Sequence, residues 1–243
     1  MSFARTDGRA ADEIRGAHIE PNFLPYAEGS ALITMGQTRV VCAASLEESV
    51  PRWVRNTGSG WLTAEYAMLP RATHTRTQRE ITRGKLQGRS QEIQRLIGRS
   101  LRAVADFKAL GERTIYIDCD VIHADGGTRT AAITGAYVAF ALASKKLLKS
   151  GKITRSLVSD QVAAVSVGIV DDTPLLDLKY DEDSRAQVDM NIVCTSDGRF
   201  IELQGTAEKG PFSRDQMDEL LALGMRGIEA LLRNQLAVIS QVE

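Results

Sequence analysis

Five acidic residues lie close together late in the chain, and their spacing predicts a divalent-cation site. They are Asp177, Asp181, Glu182, Asp183 and Asp189. We expect a strand, a turn over residues 181–184 and a return strand, which would bring Asp183 and Asp189 together across a hairpin. Carboxylate oxygens with several retained waters suit Mg²⁺ or Mn²⁺. The alternative is a solvated acidic turn that binds nothing.

The run DGGTRT at residues 125–130 predicts an anion site at the point where a strand gives way to a helix. Unpaired backbone N–H groups and the helix dipole favour negative charge at such a helix N-terminus. The two glycines permit close approach to the backbone, while Thr128 adds a hydroxyl donor and Arg129 a positive charge. Gly127, Thr128 and Arg129 are therefore candidate phosphate ligands. The alternative is an ordinary strand–turn–helix joint capped by Thr128.

A second helix opens at GRSQEI, residues 88–93, with Arg89 at its start. A guanidinium fork in that position binds a phosphate through two hydrogen bonds. A surface arginine without a ligand is the alternative. If this helix end and the 125–130 turn converge beside the acidic pair, they form one site for an oxyanion, with Arg89, Asp183 and Asp189 as its catalytic candidates.

Positive charge is concentrated in one segment, although the 243-residue chain has a net charge of −1. Residues 71–113 hold eleven Lys/Arg and four Asp/Glu, whereas the rest of the chain holds nineteen and twenty-seven. A basic segment on an acidic protein is typical of a polyanion site, and a solvated helix face is the alternative. The segment Arg52–Gly88 shows little periodicity, and its length predicts a functional or disordered loop.

The composition is that of a globular protein, with 43% hydrophobic and 25% charged residues. Aromatic residues make up only 5%, which argues against an RNA platform built on aromatic stacking. Three widely spaced cysteines predict buried free thiols in a reducing cytosol. The first sixteen residues carry charges of both signs, unlike a signal peptide. Since we find no window near the ~20 apolar residues of a membrane span, we expect a cytoplasmic protein with no membrane partner.

The elements that must position these residues follow from the hydrophobic periodicity. Alternation predicts a hairpin over residues 30–46 and a strand over 114–122, and helical spacing predicts helices over 91–110 and 129–148. The remaining elements are four strands and a last helix, at 162–171, 175–180, 188–195, 200–204 and from Ser213. This order predicts an α+β fold, a single domain over residues 1–243 with helices packed on mixed sheets.

Several of these motifs, taken in order, resemble the bacterial ribonuclease PH family of phosphorolytic 3′-to-5′ exoribonucleases. The resemblance rests on GRSQEIQRLIGR at 88–99, DCDV leading to GGTR at 118–129, ED through DMN at 182–191, and ELQGTAE with PF at 202–212. It extends from Arg5 to about Leu232 and includes the opening segment 5–15. Separate motifs in the right order are far more specific than one short pattern.

The resemblance implies a βαβα ribonuclease PH-like fold and a tRNA nucleotidyltransferase activity. Such an enzyme uses inorganic phosphate as co-substrate and releases nucleoside 5′-diphosphates from RNA 3′ ends, in a reversible nucleotidyl transfer. The resemblance also implies a homo-hexameric ring, a trimer of dimers, and precursor tRNA with a 3′ extension as the main RNA partner.

The resemblance carries roles to particular residues as well. It implies that Arg89 and the run 127–129 bind phosphate and that Asp183 and Asp189 hold the metal. It implies that three arginines of a basic loop hold RNA, namely Arg71, Arg76 and Arg79. One departure is visible, because Lys179 stands where an acidic residue is common in the family.

Two other functions stay open on the sequence alone. A non-catalytic RNA-binding subunit of such a ring would have lost the phosphate and acidic motifs, which are all present here. A hydrolytic metal-dependent nuclease needs more clustered carboxylates or histidines, and His18, His74 and His123 show no ligand spacing. Release of nucleoside diphosphates only when phosphate is supplied separates the three functions.

Overall fold

Over residues 4–85 and 87–242, the computed structural model contains nine strands and five α-helices. The strands are β1 (Ala17–Pro21), β2 (Gly29–Met35), β3 (Thr38–Glu47), β4 (Trp61–Met68), β5 (Thr114–His123), β6 (Val162–Val170), β7 (Thr173–Leu176), β8 (Val188–Thr195) and β9 (Phe200–Ala207). The helices are α1 (Gly88–Arg102), α2 (Phe107–Leu110), α3 (Thr128–Lys149), α4 (Tyr180–Asp183) and α5 (Arg214–Gln241). The α+β class is confirmed.

The strands form two sheets. The first has five strands in the order β1-β2-β3-β5-β4, and the second has four in the order β7-β6-β8-β9. Neighbouring strands are antiparallel except for β4 and β5, which run parallel. The predicted hairpin is present as β2 and β3, which pair from Met35 opposite Thr38 around a turn at Gly36 with φ of 56°.

Helix α3 lies between the two sheets and forms the centre of the core. It packs against β2 and β3 of the first sheet and against β6 of the second. Nearly every residue from Thr128 to Ser144 is buried, as its apolar composition all round predicts. Among the described helices, α3 alone is long and apolar enough to cross a membrane, contrary to our expectation of no such window, but 83% of that window is buried in the protein.

Three elements differ from the sequence prediction. Strand β4 lies inside the segment 52–88 that we expected to be irregular, and it buries Leu62, Ala64 and Tyr66 in alternation. The helix expected over 91–110 is two helices, because Asp106 caps α2 by accepting a hydrogen bond from the Ala109 backbone N–H. The expected hairpin strands at 175–180 and 188–195 are not paired, since β7 and β8 both pair with β6.

Candidate active site

A cavity of about 520 Å³ lies where α1, α3, α4, β8 and β9 meet. It brings together basic and acidic side chains from residues far apart in the sequence. Its lining includes Arg89, Arg129, Asp183 and Asp189, which the sequence analysis selected, and Glu92, Asn191, Gln204, Thr206, Glu208 and Lys209, which it did not. This is the convergence on which the sequence hypothesis depends.

A second cavity of about 330 Å³ adjoins the first. Its walls include Gly127 and Thr128 of the predicted anion site, and it shares Arg89 and Asp183 with the first cavity. The 125–130 turn, the start of α1 and the acidic pair therefore line two cavities that have Arg89 and Asp183 in common.

The turn between β5 and α3 has the backbone that its two glycines predict. Gly126 and Gly127 have φ of 75° and 64°, in the left-handed region that favours glycine. Gly127 is the N-cap of α3, and Thr128 is the first helical residue rather than the cap. The first amides of a helix have no partner within it, so this turn offers N–H donors to an anion.

Arg129 is already engaged by neighbouring side chains. Its Nη1 donates to Gln204 Oε1 over 2.6 Å and to Glu92 Oε1 over 3.2 Å. Gln204 Nε2 also donates to Glu92, over 2.6 Å. Glu92 and Gln204 lie within the runs that carry the family resemblance, yet nothing in their types or spacing marked them as site residues. They tie α1, α3 and β9 together beside the cavity.

Both carboxylates of the acidic pair have a raised pKa. Burial raises the pKa of Asp189 to about 6, and the negative charge of Asp183 adds to that rise, while Arg129 opposes it. Burial also raises the pKa of Asp183, although part of this residue reaches solvent, and Arg89 and Arg129 oppose the rise. A positive charge between the two carboxylates would relieve this cost.

The elements that carry Asp183 and Asp189 differ from our prediction of a hairpin. It is the last residue of the one-turn helix α4, whereas Asp189 is on strand β8. No two-stranded hairpin joins them. Both residues line the same cavity, one from α4 and the other from β8, which local sequence patterns do not reveal.

The donor set fits a hard divalent cation such as Mg²⁺. Two partly desolvated carboxylates are the usual protein contribution to such a site, where water and substrate oxygens supply the rest. Among the described residues, no group of three or more His, Cys, Asp and Glu could by itself hold a metal ion. A metal site with two protein carboxylates, completed by substrate and water oxygens, agrees with this donor set and with the absence of a larger cluster among the described residues.

The basic loop between β4 and α1 lies beside the second cavity. Thr73, His74 and Thr75 line that cavity, and Arg71, Arg76 and Arg79 are exposed to solvent. The described lining of the two cavities does not include these three arginines. The assignment of these arginines to RNA binding stays a prediction.

The chain matches one family over most of its length. Residues 13–146 match the 3′ exoribonuclease family, domain 1, and residues 160–227 match domain 2 of that family. Over 238 residues the chain is 56% identical to ribonuclease PH of Moorella thermoacetica, an alignment that covers 98% of this chain and 95% of that protein. Our expectation of a single domain over residues 1–243 stays a prediction.

Solved structures with a similar fold include two of low sequence identity. An Archaeoglobus fulgidus exosome with RNA bound to the active site superposes with a TM-score of 0.81 at 23% identity, over 95% of this chain and 92% of that chain. Rice (Oryza sativa) Rrp46 superposes with a TM-score of 0.78 at 17% identity, over 97% of this chain and 100% of that one. At these identities the likeness concerns the fold alone.

Proposed function

The chain belongs to the 3′ exoribonuclease family. On that premise we propose that the residues around these two cavities catalyse phosphorolysis of RNA 3′ ends. One observation carries the proposal: Arg89 and Asp183 both border the cavity that holds the anion turn and the cavity that holds Asp189. A bound phosphate and an RNA end would therefore lie side by side. The substrates are RNA and inorganic phosphate, and the product is a nucleoside 5′-diphosphate.

The first task of the site is to bring two anions together. We assign phosphate binding to Arg89, Arg129, the Thr128 hydroxyl and the amides around Gly127, which would neutralise and orient the attacking ion. An oxygen of this phosphate then attacks the terminal phosphorus, and the bond from that phosphorus to the 3′ oxygen of the preceding nucleotide breaks. The leaving oxygen takes up the proton of the hydrogen phosphate, so atoms and charge balance.

Asp183 and Asp189 would hold a magnesium or manganese ion. When bound, this ion would supply positive charge next to the scissile phosphoryl group. No side chain needs to act as a nucleophile, because positioning and electrostatics supply most of the rate in phosphoryl transfer. The bond that is broken and the bond that is made are similar in energy, so the reaction is reversible.

The RNA partner is expected to bind through its backbone. We assign this contact to Arg71, Arg76 and Arg79, whose charges suit phosphates and carry little sequence information. Precursor tRNA with a 3′ extension is the proposed main substrate, a homo-hexameric ring the proposed assembly, and the cytoplasm the proposed location. Light scattering on the purified protein tests the ring.

The decisive experiment follows end-labelled RNA with and without phosphate. We expect release of nucleoside diphosphates only when phosphate is present, and no release from the Asp189→Asn variant although it still binds RNA. Release of nucleoside monophosphates without phosphate would instead make the chain a hydrolytic nuclease. RNA binding without any release would make it a non-catalytic ring subunit.

A further inference from the structure

Two arginines near the N-terminus are almost wholly buried. Arg5 is 5% exposed and Arg15 is 4% exposed, and arginine is rarely buried this deeply unless it is paired. Their partners are the buried acids Glu182, within α4, and Asp177, just before it. None of these four residues takes part in the proposed catalysis. They nevertheless connect the proposed phosphate-binding turn to α4, which carries Asp183.

Arg15 links the acidic segment to the turn that precedes α3. Its Nη2 and Nε donate to the two carboxylate oxygens of Asp177 over 2.7 and 2.9 Å, and its backbone N–H donates to the same carboxylate over 2.8 Å. Its Nη1 donates to the carbonyl oxygen of Asp125 over 2.6 Å. One guanidinium group therefore touches both the turn and the segment that leads into α4.

These bonds determine which way the turn directs its amides. The carbonyl oxygen of Gly126 accepts a hydrogen bond from Thr38 Oγ1 over 2.7 Å, and the Asp125 carbonyl accepts from Arg15. In a planar trans peptide the N–H points away from the C=O. Holding these two carbonyls towards Arg15 and Thr38 therefore directs the N–H groups of Gly126 and Gly127 to the opposite side.

The turn and the acidic segment are packed without spare room. A Cβ atom added to Gly126 would lie 2.7 Å from the carbonyl oxygen of Leu178, and one added to Gly127 would lie 2.9 Å from Arg15 Nη2. A displacement of Arg15 is therefore transmitted to the turn by direct contact. The same close packing means that the turn and α4 cannot shift independently.

Arg5 fixes α4 from the other side. Its Nε and Nη2 donate to the two carboxylate oxygens of Glu182 over 2.9 and 2.7 Å, the two-bond geometry of a strong arginine–carboxylate pair. Glu182 also accepts a hydrogen bond from the Lys179 backbone N–H over 3.0 Å, which closes the helix turn. The next residue is Asp183, so the direction of this carboxylate depends on the pair.

We propose that segment 5–15 is a clamp in which Arg15 positions the phosphate-binding turn and Arg5 positions α4 with Asp183. The inference rests on the proposed function, because it concerns the same reaction. Both arginines are positioning residues that touch no substrate. Asp177 offsets part of the charge of Arg15, and we assign the effect of Arg15 on the turn to its hydrogen bonds.

The Arg15 contact is tested with Arg15→Ala and Arg15→Lys, once the wild-type protein has shown phosphate-dependent release. Loss of a charged hydrogen-bonding group should raise the KM for phosphate about tenfold or more in Arg15→Ala. We expect a smaller rise in Arg15→Lys, which keeps the charge but lacks the fork, and little change in the KM for RNA. Added guanidinium ion at millimolar concentration should lower the raised KM of Arg15→Ala.

A second measurement does not depend on turnover. Phosphate binding stabilises the folded protein, so the melting temperature rises with phosphate concentration. A given rise in melting temperature should require more phosphate in both Arg15 variants than in the wild type. A lower melting temperature with an unchanged phosphate response, or an unchanged KM in the folded Arg15→Lys variant, would show a purely structural role and overturn the inference.

The Arg5 contact predicts a different kinetic change. Arg5→Lys should lower kcat while leaving the KM for phosphate near the wild-type value, because it disturbs Asp183 and not the turn. Arg226→Ala is the matched control, since Arg226 ties Asp12 of the same segment to α5 over 3.1 Å at the exposed surface. If Arg5→Lys and Arg226→Ala behave alike, the clamp does not include Arg5.

Discussion

Tyr66 on β4 donates a hydrogen bond to Oγ1 of Thr128, the first residue of α3, over 2.9 Å. Both side chains are buried, and burial raises the pKa of Tyr66, so the phenol keeps its proton. Because Tyr66 supplies the proton of this bond, the Thr128 hydroxyl keeps its own for another acceptor. A strand outside the predicted site thus helps to orient Thr128, one of the proposed phosphate ligands.

Removal of the Tyr66 hydroxyl tests this relationship. In Tyr66→Phe the ring still fills the core, but the Thr128 hydroxyl can turn away from the phosphate. We expect a loss of about 1 kcal/mol in unfolding free energy and a KM for phosphate that rises about threefold to tenfold. Steady-state kinetics and urea denaturation give the two values. An unchanged KM would show that Thr128 does not depend on Tyr66 for its orientation.

Replacement of Arg89 tests the second helix end. In Arg89→Ala the phosphate loses a charged hydrogen-bonding partner, so its KM should rise roughly tenfold to a hundredfold. The KM for RNA should change much less. Arg214→Ala is a suitable control, because Arg214 is an exposed arginine in the first turn of another helix, α5. Equal phosphate dependence in Arg89→Ala and wild type would remove Arg89 from the site.

The acidic pair should cost the metal-free protein stability at neutral pH. Burial and Asp183 raise the pKa of Asp189 from 3.8 to about 6, so its ionised form is disfavoured in the folded state. This penalty is fully present above the raised pKa and disappears as the pH falls towards the unfolded value. Without metal, Asp189→Asn should therefore melt at a higher temperature than wild type at about pH 8, and at a similar temperature at about pH 4.

Thermal melts in chelating buffer measure this difference, which should be roughly 2–4 °C for each kcal/mol regained. Added Mg²⁺ should stabilise the wild type and not the variant. Identical melting temperatures of the wild type and Asp189→Asn at every pH would mean that ionisation of Asp189 does not destabilise the folded protein.

The basic loop should govern the salt dependence of RNA binding. The exposed arginines Arg76 and Arg79 contact phosphates in the proposed complex, and each contact removed lowers the slope of log affinity against log salt by about one. The double variant Arg76→Gln/Arg79→Gln should weaken binding of unrelated RNA sequences to a similar extent. Arg233→Gln on α5 is the control, since Arg233 is exposed and paired with Glu229. If the slope of log affinity against log salt is unchanged in the double variant, the two arginines do not contact RNA phosphates.

The sequence predicted most elements that carry the site, and it failed where tertiary contacts decide the structure. The strand–turn–helix joint at 125–130 and the start of the last helix at Ser213 are confirmed, because local chemistry determines them: Ser213 and Gln216 form a capping box. Strand β4 was missed although its alternation is visible, because polar and loop-forming residues surround it. Helix α4 was missed because one turn of helix leaves no periodic pattern.

The buried arginines show a second limit of sequence reasoning. Segment 5–15 has charges of both signs, which is typical of a solvated terminus. The burial of its Arg5 and Arg15 depends on acidic partners more than 160 residues away, as the 162-residue separation of the Arg15–Asp177 pair shows. No spacing rule relates such partners. Residue types and spacing predicted an anion-binding Arg89 and a cation-binding pair, Asp183 and Asp189, and the family resemblance implied the same roles. These roles stay predictions.

The burial of α3 on both sides restricts how the chain can be divided. The helix belongs largely to the segment that matches the first family domain, whereas β6, which covers its other side, belongs to the second. A fragment that stopped soon after the helix would present an apolar flank to water and would self-associate. Each segment therefore needs the other to fold. A protein split between them would regain activity only when the two fragments reassemble, and it would serve as a reporter of fragment complementation.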